Sequence, residues 1–397
     1  MRKYILLFQA NALLRRLSLV QFICYFGAWF SNVAIYTLLI KLEATAWIIS
    51  AVTVLTFLPT MILAPFSGVL IDKLPTKLFM ITLFIIEIIT VLALLLVNSL
   101  DMIWLLFLAV FLRMGASSTY FQTEMSLLPR FLKGNDLKLA NEIHSIIWSV
   151  SYTAGMGLAG FFVYIYGVKS AFIADAVLFL AGLGLLWSVK VPSLVLQKSE
   201  QFLFMFKEGF LYLKRNPKIL HIIILHACVG IASYDVIVAL LADKVYYAVF
   251  GASLVIGFIN SFRALALTLG AAAFSRFVNI KSFHLFFFAQ GAGIIIWAVL
   301  QFNFYLAFIG IFLAGLFSST IWSYTYTMLQ NSVSKGYIGR MIAFNDMFLM
   351  GVSSFISFLC GFLYQSGFEI AVITGLLGVL FIIGGFYWMW VKRNYTE

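Results

Sequence analysis

Twelve apolar stretches, each of about 20 residues or more, follow one another along this chain of 397 residues. An α-helix rises about 1.5 Å per residue, so each stretch is long enough to cross the hydrocarbon layer of a bilayer. The sequence therefore predicts an all-α membrane protein with twelve transmembrane helices, numbered here as spans 1 to 12. Their expected positions are about residues 17–40, 47–71, 78–97, 102–125, 140–165, 170–190, 219–242, 249–275, 282–302, 304–328, 340–364 and 367–391.

Composition supports this class and excludes a soluble fold. Hydrophobic residues make up 63% of the chain and charged residues 10%, with a mean hydropathy of +1.05. Soluble domains carry about 25% charged residues. A net charge of +11 would favour nucleic-acid binding in a soluble protein, but here the bases gather in loops on one side of the predicted membrane. The expected partner is the lipid bilayer, and nucleic acid is not expected as a partner.

The distribution of basic residues predicts the orientation. Of the 26 lysines and arginines, 21 fall on the side of the membrane that holds the amino terminus. The opposite loops contain only Lys41, Lys169 and Lys244, and the remaining two bases, Arg113 and Arg263, lie inside spans. Because cytoplasmic loops carry an excess of Lys and Arg, both termini are expected to be cytoplasmic.

The sequence lacks the signatures of enzymes and of ATP-driven pumps. It contains neither a G-x-x-x-x-G-K-[ST] phosphate loop nor a nucleophile elbow. Its three cysteines, Cys24, Cys228 and Cys360, all lie within apolar stretches, and no cluster of His, Cys and carboxylates has metal-ligand spacing. We therefore expect no catalytic residues, no metal and no other cofactor.

The longest loop, residues 191–218, divides the spans into two sets of six. The predicted units are a six-helix bundle at 1–190, a linker with an interfacial helix at 191–218, and a second six-helix bundle at 219–397. The two halves also repeat one another: residues 158–161 (LAGF) recur as 359–362 (LCGF), and Gly167 recurs as Gly367. This offset near 200 residues indicates a duplicated six-helix unit.

The short turn between spans 2 and 3 carries a compact charged motif. A glycine lets two backbones approach closely, an aspartate can accept hydrogen bonds from a helix amino terminus, and lysines can hold acids or lipid phosphates. The motif resembles the signature loop of the major facilitator superfamily, roughly G-x-L-x-D-[RK]-x-G-R-[RK]. The matching residues are Gly68, Leu70, Asp72, Lys73 and Lys77. Pro75 and Thr76 depart from the pattern, at positions where that family usually has Gly and Arg.

A second region extends the resemblance. Residues 127–130, 136–137 and 140–141 are similar to the link between helices 4 and 5 in bacterial exporters of the macrolide-efflux and enterobactin-exporter types, which are drug:proton antiporters. The resemblance implies two pseudo-symmetric bundles, a central cavity lined by spans 1, 4, 7 and 10, and a location in the bacterial cytoplasmic (inner) membrane. The antiporter-type glycine pattern in span 5 lacks its proline at residues 155–160, where the glycines also fit close helix packing.

Polar and aromatic residues recur at helical spacing on the spans expected to line that cavity. The predicted cavity residues are Tyr25, Trp29, Asn32 and Tyr36 on span 1, Arg113, Ser117 and Tyr120 on span 4, His226 on span 7, and Trp322 and Tyr326 on span 10. Tight interhelix packing with a few internal hydrogen bonds is the alternative for any single aromatic in this set.

Charged residues inside the spans are costly in hydrocarbon unless they are paired or hydrated. Glu87, Asp235 and Asp346 are the candidate proton carriers. Arg113 needs a permanent partner from another helix or from the substrate, and Arg263 raises the same choice between substrate binding and a structural pair. A cytoplasmic gate is expected from Gly68, Asp72, Lys73, Lys77, Glu124 and Arg340.

The predicted function is secondary active transport by alternating access, without an enzymatic reaction. On the resemblance, the chain exports an amphipathic small molecule of drug, macrolide or siderophore type in exchange for protons, as a monomer. Arg113 and Arg263 motivate an alternative, transport of an anionic solute or a lysolipid-like anion. A membrane sensor without turnover is a further alternative.

Overall fold

The computed structural model describes residues 2–191, 202–334 and 337–395, and these residues form helices and connecting turns without a strand. Twelve of its helical segments are long and apolar enough to cross a membrane. The prediction of an all-α fold with twelve spans is therefore confirmed. Both termini lie on one side of the bundle, here called the terminal side, because the number of spans is even; the opposite side is called the far side.

The structure gives the following helix bounds. Spans 1 to 6 are Ala12–Lys41, Ala46–Lys73, Thr76–Leu94, Ile103–Phe131, Gly134–Tyr166 and Val168–Ser188. Spans 7 to 12 are Pro217–Ala227 with Asp235–Leu240, Ala252–Phe274, Phe283–Leu300, Phe304–Gly315 with Ser318–Ser332, Ile338–Gln365 and Ile370–Tyr395. Two further helices, Arg2–Ala10 and Phe202–Arg215, are not among the spans.

The helix Phe202–Arg215 belongs to the predicted linker and packs against the terminal-side end of span 11. Glu208 forms an ion pair with Arg340 at 2.6 Å, and Tyr212 stacks on Tyr337 with ring centroids 4.2 Å apart. The predicted linker boundaries themselves stay a prediction, because residues 192–201 lie outside the described ranges.

Spans 7 and 10 are interrupted, where the sequence predicted continuous helices. Span 7 changes to a 3-10 turn over Cys228–Ala232 and becomes non-helical at Ser233, and span 10 breaks between Gly315 and Ser318. A break frees backbone groups that must find other partners in a hydrocarbon environment. Mean hydropathy does not reveal such breaks, since both interrupted spans remain strongly apolar, at 2.1 for Pro217–Val245 and 2.0 for Phe304–Ser332.

Two polar side chains bond the freed backbone groups. The Arg263 guanidinium donates to the carbonyl oxygen of Ala232 at 2.6 Å. Gln290 Nε2 donates to the carbonyl oxygen of Ala314 at 2.5 Å, and Gln290 Oε1 accepts from the Phe317 amide at 3.2 Å. Span 8 therefore stabilises the break in span 7, and span 9 stabilises the break in span 10.

The two halves of the chain meet along two glycine-containing seams. In the first seam, a Cβ added to Gly160 of span 5 would lie 2.6 Å from the Ser253 carbonyl oxygen and 3.0 Å from Gly257 Cα of span 8. In the second, a Cβ added to Gly361 of span 11 would lie 1.7 Å from Ser50 Oγ of span 2. Both seams lie toward the far side.

These glycines belong to the repeated sequence. Gly160 and Gly361 sit at the same place in the LAGF and LCGF repeats, and each lies in a seam between the two halves. Gly167 and Gly367, the next repeated pair, both have positive φ, 83° and 92°. Side chains rarely adopt that backbone conformation, so the repeat preserves two turns that favour glycine. The repeated glycines thus occupy equivalent structural positions in the two halves.

Gly270 provides a test of the packing at the span 10 break. A Cβ at this position would lie 1.8 Å from the Leu316 carbonyl oxygen, whereas nothing lies within 4 Å of a Cβ at Gly184. We expect Gly270→Ala to lower the free energy of unfolding by about 2–3 kcal/mol, since backbone must move. Melting temperature in detergent measures this, with Gly184→Ala as control. Equal melting temperatures for the two variants would contradict the close packing of Gly270 against Leu316.

Candidate functional site

A buried ion pair lies inside the amino-terminal half. Arg113 of span 4 contacts Asp175 of span 6, with Nη2 2.5 Å from Oδ2, and the two residues are 5% and 0% exposed. The Ser31 hydroxyl of span 1 donates to the same carboxylate oxygen. Gly27 makes room for the pair, because a Cβ there would lie 2.7 Å from Asp175 Oδ1. The partner of Arg113, which the sequence left open, is thus on another helix.

Glu87 of span 3 completes this cluster. Its side chain is buried near both residues, but no ion pair or hydrogen bond joins it to Arg113 or Asp175 among the described residues. We call Glu87, Arg113 and Asp175, with Ser31, the charge cluster. It contains two carboxyl groups for one guanidinium, and the guanidinium pairs with Asp175.

Aromatic residues of spans 1, 4 and 5 pack against one another in two neighbouring groups. Trp29 stacks on Tyr152 with centroids 4.4 Å apart, and Tyr152 contacts Trp148 at 5.2 Å. Next to them, Phe121 packs against His144 at 5.1 Å. Sequence reasoning missed the three span 5 residues, although their spacing of four residues places them on one face and could have revealed them.

A second aromatic group lies on the carboxy-terminal half. Trp322 stacks on Tyr326 with centroids 5.0 Å apart and an interplanar angle of 26°. The His226 ring lies 5.7 Å from each of them, and its Nδ1 is 2.8 Å from the Thr325 hydroxyl. Trp322 is 42% exposed although it lies in the middle of a span.

Several predicted cavity residues are buried within their own half of the chain. Tyr36 bonds Thr53 at 2.9 Å, and Tyr120 packs edge-on against Phe84 at 4.9 Å. These two tyrosines, Arg113 and His226 have side chains almost without exposure. In this conformation they do not line an open cavity, because protein partners occupy their polar or aromatic faces. The half-buried members of the set are Tyr25, Trp29, Asn32, Ser117 and Tyr326.

Arg263, the second intramembrane arginine, also contacts other groups of the protein. Besides its bond to Ala232, the Arg263 guanidinium lies 4.8 Å from the centroid of the Tyr234 ring. Asp235 begins the second part of span 7 and is half-buried. Asp235 and His226 do not lie on one continuous helix, since span 7 is interrupted between them.

The gate residues are only partly described. The side chains of Asp72 and Lys73, and the surroundings of Gly68, lie outside the described part of the structure. Lys77 Nζ donates to the Trp187 carbonyl oxygen at 2.6 Å. Glu124 is buried, and its Oε2 has no hydrogen-bond partner among the described residues. Arg340 pairs with Glu208 of the linker helix, a partner that the sequence analysis did not identify.

Asp346 lies on span 11 and is half-buried. Asn345 Nδ2 donates to its carboxylate at 3.5 Å, a long hydrogen bond. No ion pair with a lysine, arginine or histidine is found for Asp346 among the described residues.

Comparison with known proteins identifies the class of this fold. A family model described as Major Facilitator Superfamily matches residues 17–303. The match covers more than half of the chain, so the chain belongs to the major facilitator superfamily. It is therefore a membrane transport protein and not an enzyme, and no group of metal-binding side chains occurs in the described ranges. A search of curated proteins finds no significant match.

Solved structures share the fold over nearly the whole chain. The nucleoside transporter NupG is 14% identical with a TM-score of 0.73, covering 97% of this chain and 100% of its own. A bacterial homologue of the iron transporter ferroportin, in an inward-facing state, is 15% identical with a TM-score of 0.72 and coverages of 96% and 99%. The POT family transporter PepTSo is 11% identical with a TM-score of 0.73 and coverages of 96% and 98%.

The Arg113–Asp175 pair predicts a specific stability result. Arg113→Ala leaves Asp175 buried without its cation, so we expect a loss of about 3–5 kcal/mol in the free energy of unfolding. The double variant Arg113→Ala/Asp175→Asn should recover part of this loss, because neither charge remains. Melting temperature in detergent tests both. Lys244→Ala, which breaks the exposed Lys244–Asp243 pair, should cost at most about 1 kcal/mol. Wild-type stability of Arg113→Ala would contradict the pair's structural role.

Proposed function

We propose that this transporter exports amphipathic small molecules from the bacterial cytoplasm, across the inner membrane and as a monomer, in exchange for protons. The observation that carries the proposal is the charge cluster, in which Arg113 pairs with Asp175 and the buried Glu87 has no ion pair of its own among the described residues. The resemblance to macrolide-efflux and enterobactin-exporter proteins supports the direction of transport. The excess of basic residues on the terminal side supports a cytoplasmic location of both termini.

The charge count of the cluster supports proton binding. An ionised carboxylate is costly in a dry protein interior unless a cation or several hydrogen-bond donors compensate it. Arg113 compensates Asp175 directly, and Ser31 adds a donor to that same carboxylate. Glu87 is left as the acid that needs a proton whenever water is excluded. It can release that proton when the cluster becomes hydrated, which is the property that proton exchange requires.

The two seams support alternating access. They join spans 5 and 8 and spans 2 and 11 toward the far side, where glycines bring the helix backbones into contact. If the terminal side is cytoplasmic, this conformation is closed toward the outside. Rocking of the halves would separate these seams while each six-helix unit keeps its own packing.

The aromatic surfaces support an amphipathic substrate. Stacked side chains on both halves offer apolar faces that a drug-like molecule can cover. The two arginines do not support the alternative of an anionic substrate, because Arg113 pairs with Asp175 and Arg263 bonds a backbone carbonyl. Neither guanidinium is left without a protein partner.

Glu87→Gln tests the coupling. In sealed vesicles with an imposed pH gradient, we expect the wild type to accumulate ethidium or erythromycin against its concentration gradient. The variant should still bind the compound but should accumulate at least tenfold less, because its side chain cannot carry a proton. Glu369→Gln, an exposed change, is the matched control. Accumulation of the compound against its concentration gradient by Glu87→Gln would exclude Glu87 as the proton carrier.

The same vesicles separate transport from sensing. A sensor would bind the compound in detergent but would produce no flux with the wild-type protein in any gradient. Accumulation driven by the pH gradient and abolished by a protonophore is the result we expect. Accumulation that survives the protonophore would contradict proton exchange, whichever residue carries the proton.

A further inference from the structure

We propose that the far side of the amino-terminal half binds the headgroup of an anionic glycerophospholipid, in a cavity whose lining includes Lys41 and Lys169. The lysines hold the phosphate, and the acyl chains lie against the neighbouring spans. This inference concerns a lipid partner and does not depend on the proposed export function.

A cavity of about 360 Å³ lies between the far-side ends of spans 1, 3, 5 and 6. Small-ligand sites have volumes of about 300–1,000 Å³, so this cavity can hold a lipid headgroup. Its apolar lining includes Leu94, Val97 and Phe172, which are buried. All residues of the lining belong to the amino-terminal half. Rocking of the two halves would therefore leave the cavity intact.

Two of the three lysines on the far side line this one cavity. The far-side loops contain only Lys41, Lys169 and Lys244. Lys244 pairs with Asp243 at 2.8 Å, whereas the described residues give neither Lys41 nor Lys169 an ion pair. The chain keeps nearly all of its other bases on the terminal side. Two exposed lysines without an acidic partner at a single cavity therefore indicate an anionic ligand.

Lys169 occupies a position that its own helix disfavours. It is the second residue of span 6, which begins at Val168. The partial positive charge of a helix amino terminus favours acids there and disfavours bases. In the other half, the equivalent residue two positions after the repeated Gly367 is Glu369. The duplicated fold therefore does not require a lysine at this place, and a bound anion would compensate its charge.

The surroundings of the cavity favour a lipid over a soluble phosphate. Leu96, Ile165 and Ile173, which are next to lining residues in the sequence, are large, apolar and exposed. Acyl chains cover such side chains in a bilayer. Tyr166 belongs to the lining and is 62% exposed, and tyrosine is enriched at the headgroup level of membranes. Lysines near the membrane surface attract anionic lipids, so a phospholipid matches both the charged and the apolar part.

Lipid binding to the purified full-length protein tests the proposal. Native mass spectrometry from detergent gives the dissociation constant of the first bound lipid. The probes are phosphatidylglycerol, which is anionic, and phosphatidylethanolamine with the same acyl chains, which has no net charge. We expect phosphatidylglycerol to bind about tenfold more tightly, or better, because two lysines attract its charge. Glycerol phosphate at the same concentration, which lacks acyl chains, should not displace it.

Variants assign this preference to the cavity. Lys41→Gln/Lys169→Gln should bind the two lipids with equal affinity. The control Lys218→Gln/Lys281→Gln removes two exposed lysines from the terminal side and should keep the wild-type preference. Asn98→Trp puts a bulky side chain at an exposed position of the lining. It should weaken phosphatidylglycerol binding severalfold without changing the charge.

Four results would overturn the proposal. They are equal affinities of the wild type for the two lipids, an unchanged preference in Lys41→Gln/Lys169→Gln, an equal loss in both double variants, and unchanged binding by Asn98→Trp. Displacement by glycerol phosphate would identify a soluble phosphate as the occupant and would equally exclude a lipid. A preference for phosphatidylglycerol that only the cavity variants reduce supports the site, whatever the vesicle experiments show about export.

Discussion

Backbone hydrogen bonding in a medium without water is the constraint on which the rest of this structure depends. Within a bilayer each amide and carbonyl must find a partner in the protein, and a continuous helix satisfies them all. Twelve helical spans are the direct result. Where two spans break, the polar side chains of Arg263 and Gln290 bond the freed groups. An arginine and a glutamine inside apolar helices are thus explained by a backbone requirement.

The broken spans are the ones that carry the second aromatic group. His226 lies just before the break in span 7, and Trp322 lies just after the break in span 10. The two breaks are connected, because Gln290 also donates to the Tyr234 hydroxyl at 3.4 Å, and the Arg263 guanidinium lies over the Tyr234 ring. A change in the backbone of one span therefore alters contacts made by the other. The proposed substrate surface rests on helices that can bend at defined points.

The two halves of the chain differ in the partners of their intramembrane charged residues. The amino-terminal half encloses an arginine and two acids in a cluster sealed from solvent. In the carboxy-terminal half, Arg263 bonds a backbone carbonyl oxygen, and Asp346 has no ion pair among the described residues. A sealed cluster suits a proton, which is small enough to enter when the helices move slightly.

The sequence by itself determined the class and much of the architecture. Apolar stretches of membrane length predicted the twelve spans, and the loop motif around Asp72 predicted the family. The repeated glycines anticipated a shared structural role, which Gly160 and Gly361 have in the two seams. These features are local or periodic, and a helix in hydrocarbon leaves few alternatives for an apolar stretch.

Only the tertiary structure decided which polar groups meet. Asp175 is 62 residues from Arg113, and Glu208 is 132 residues from Arg340, so no spacing rule connects them. Helical periodicity gave the face of Tyr36 and Tyr120 but not the neighbour that covers it. The breaks in spans 7 and 10 were equally invisible, because they are stabilised by side chains from spans 8 and 9. Pairing across helices is set by how the spans pack, and packing is a property of the whole bundle.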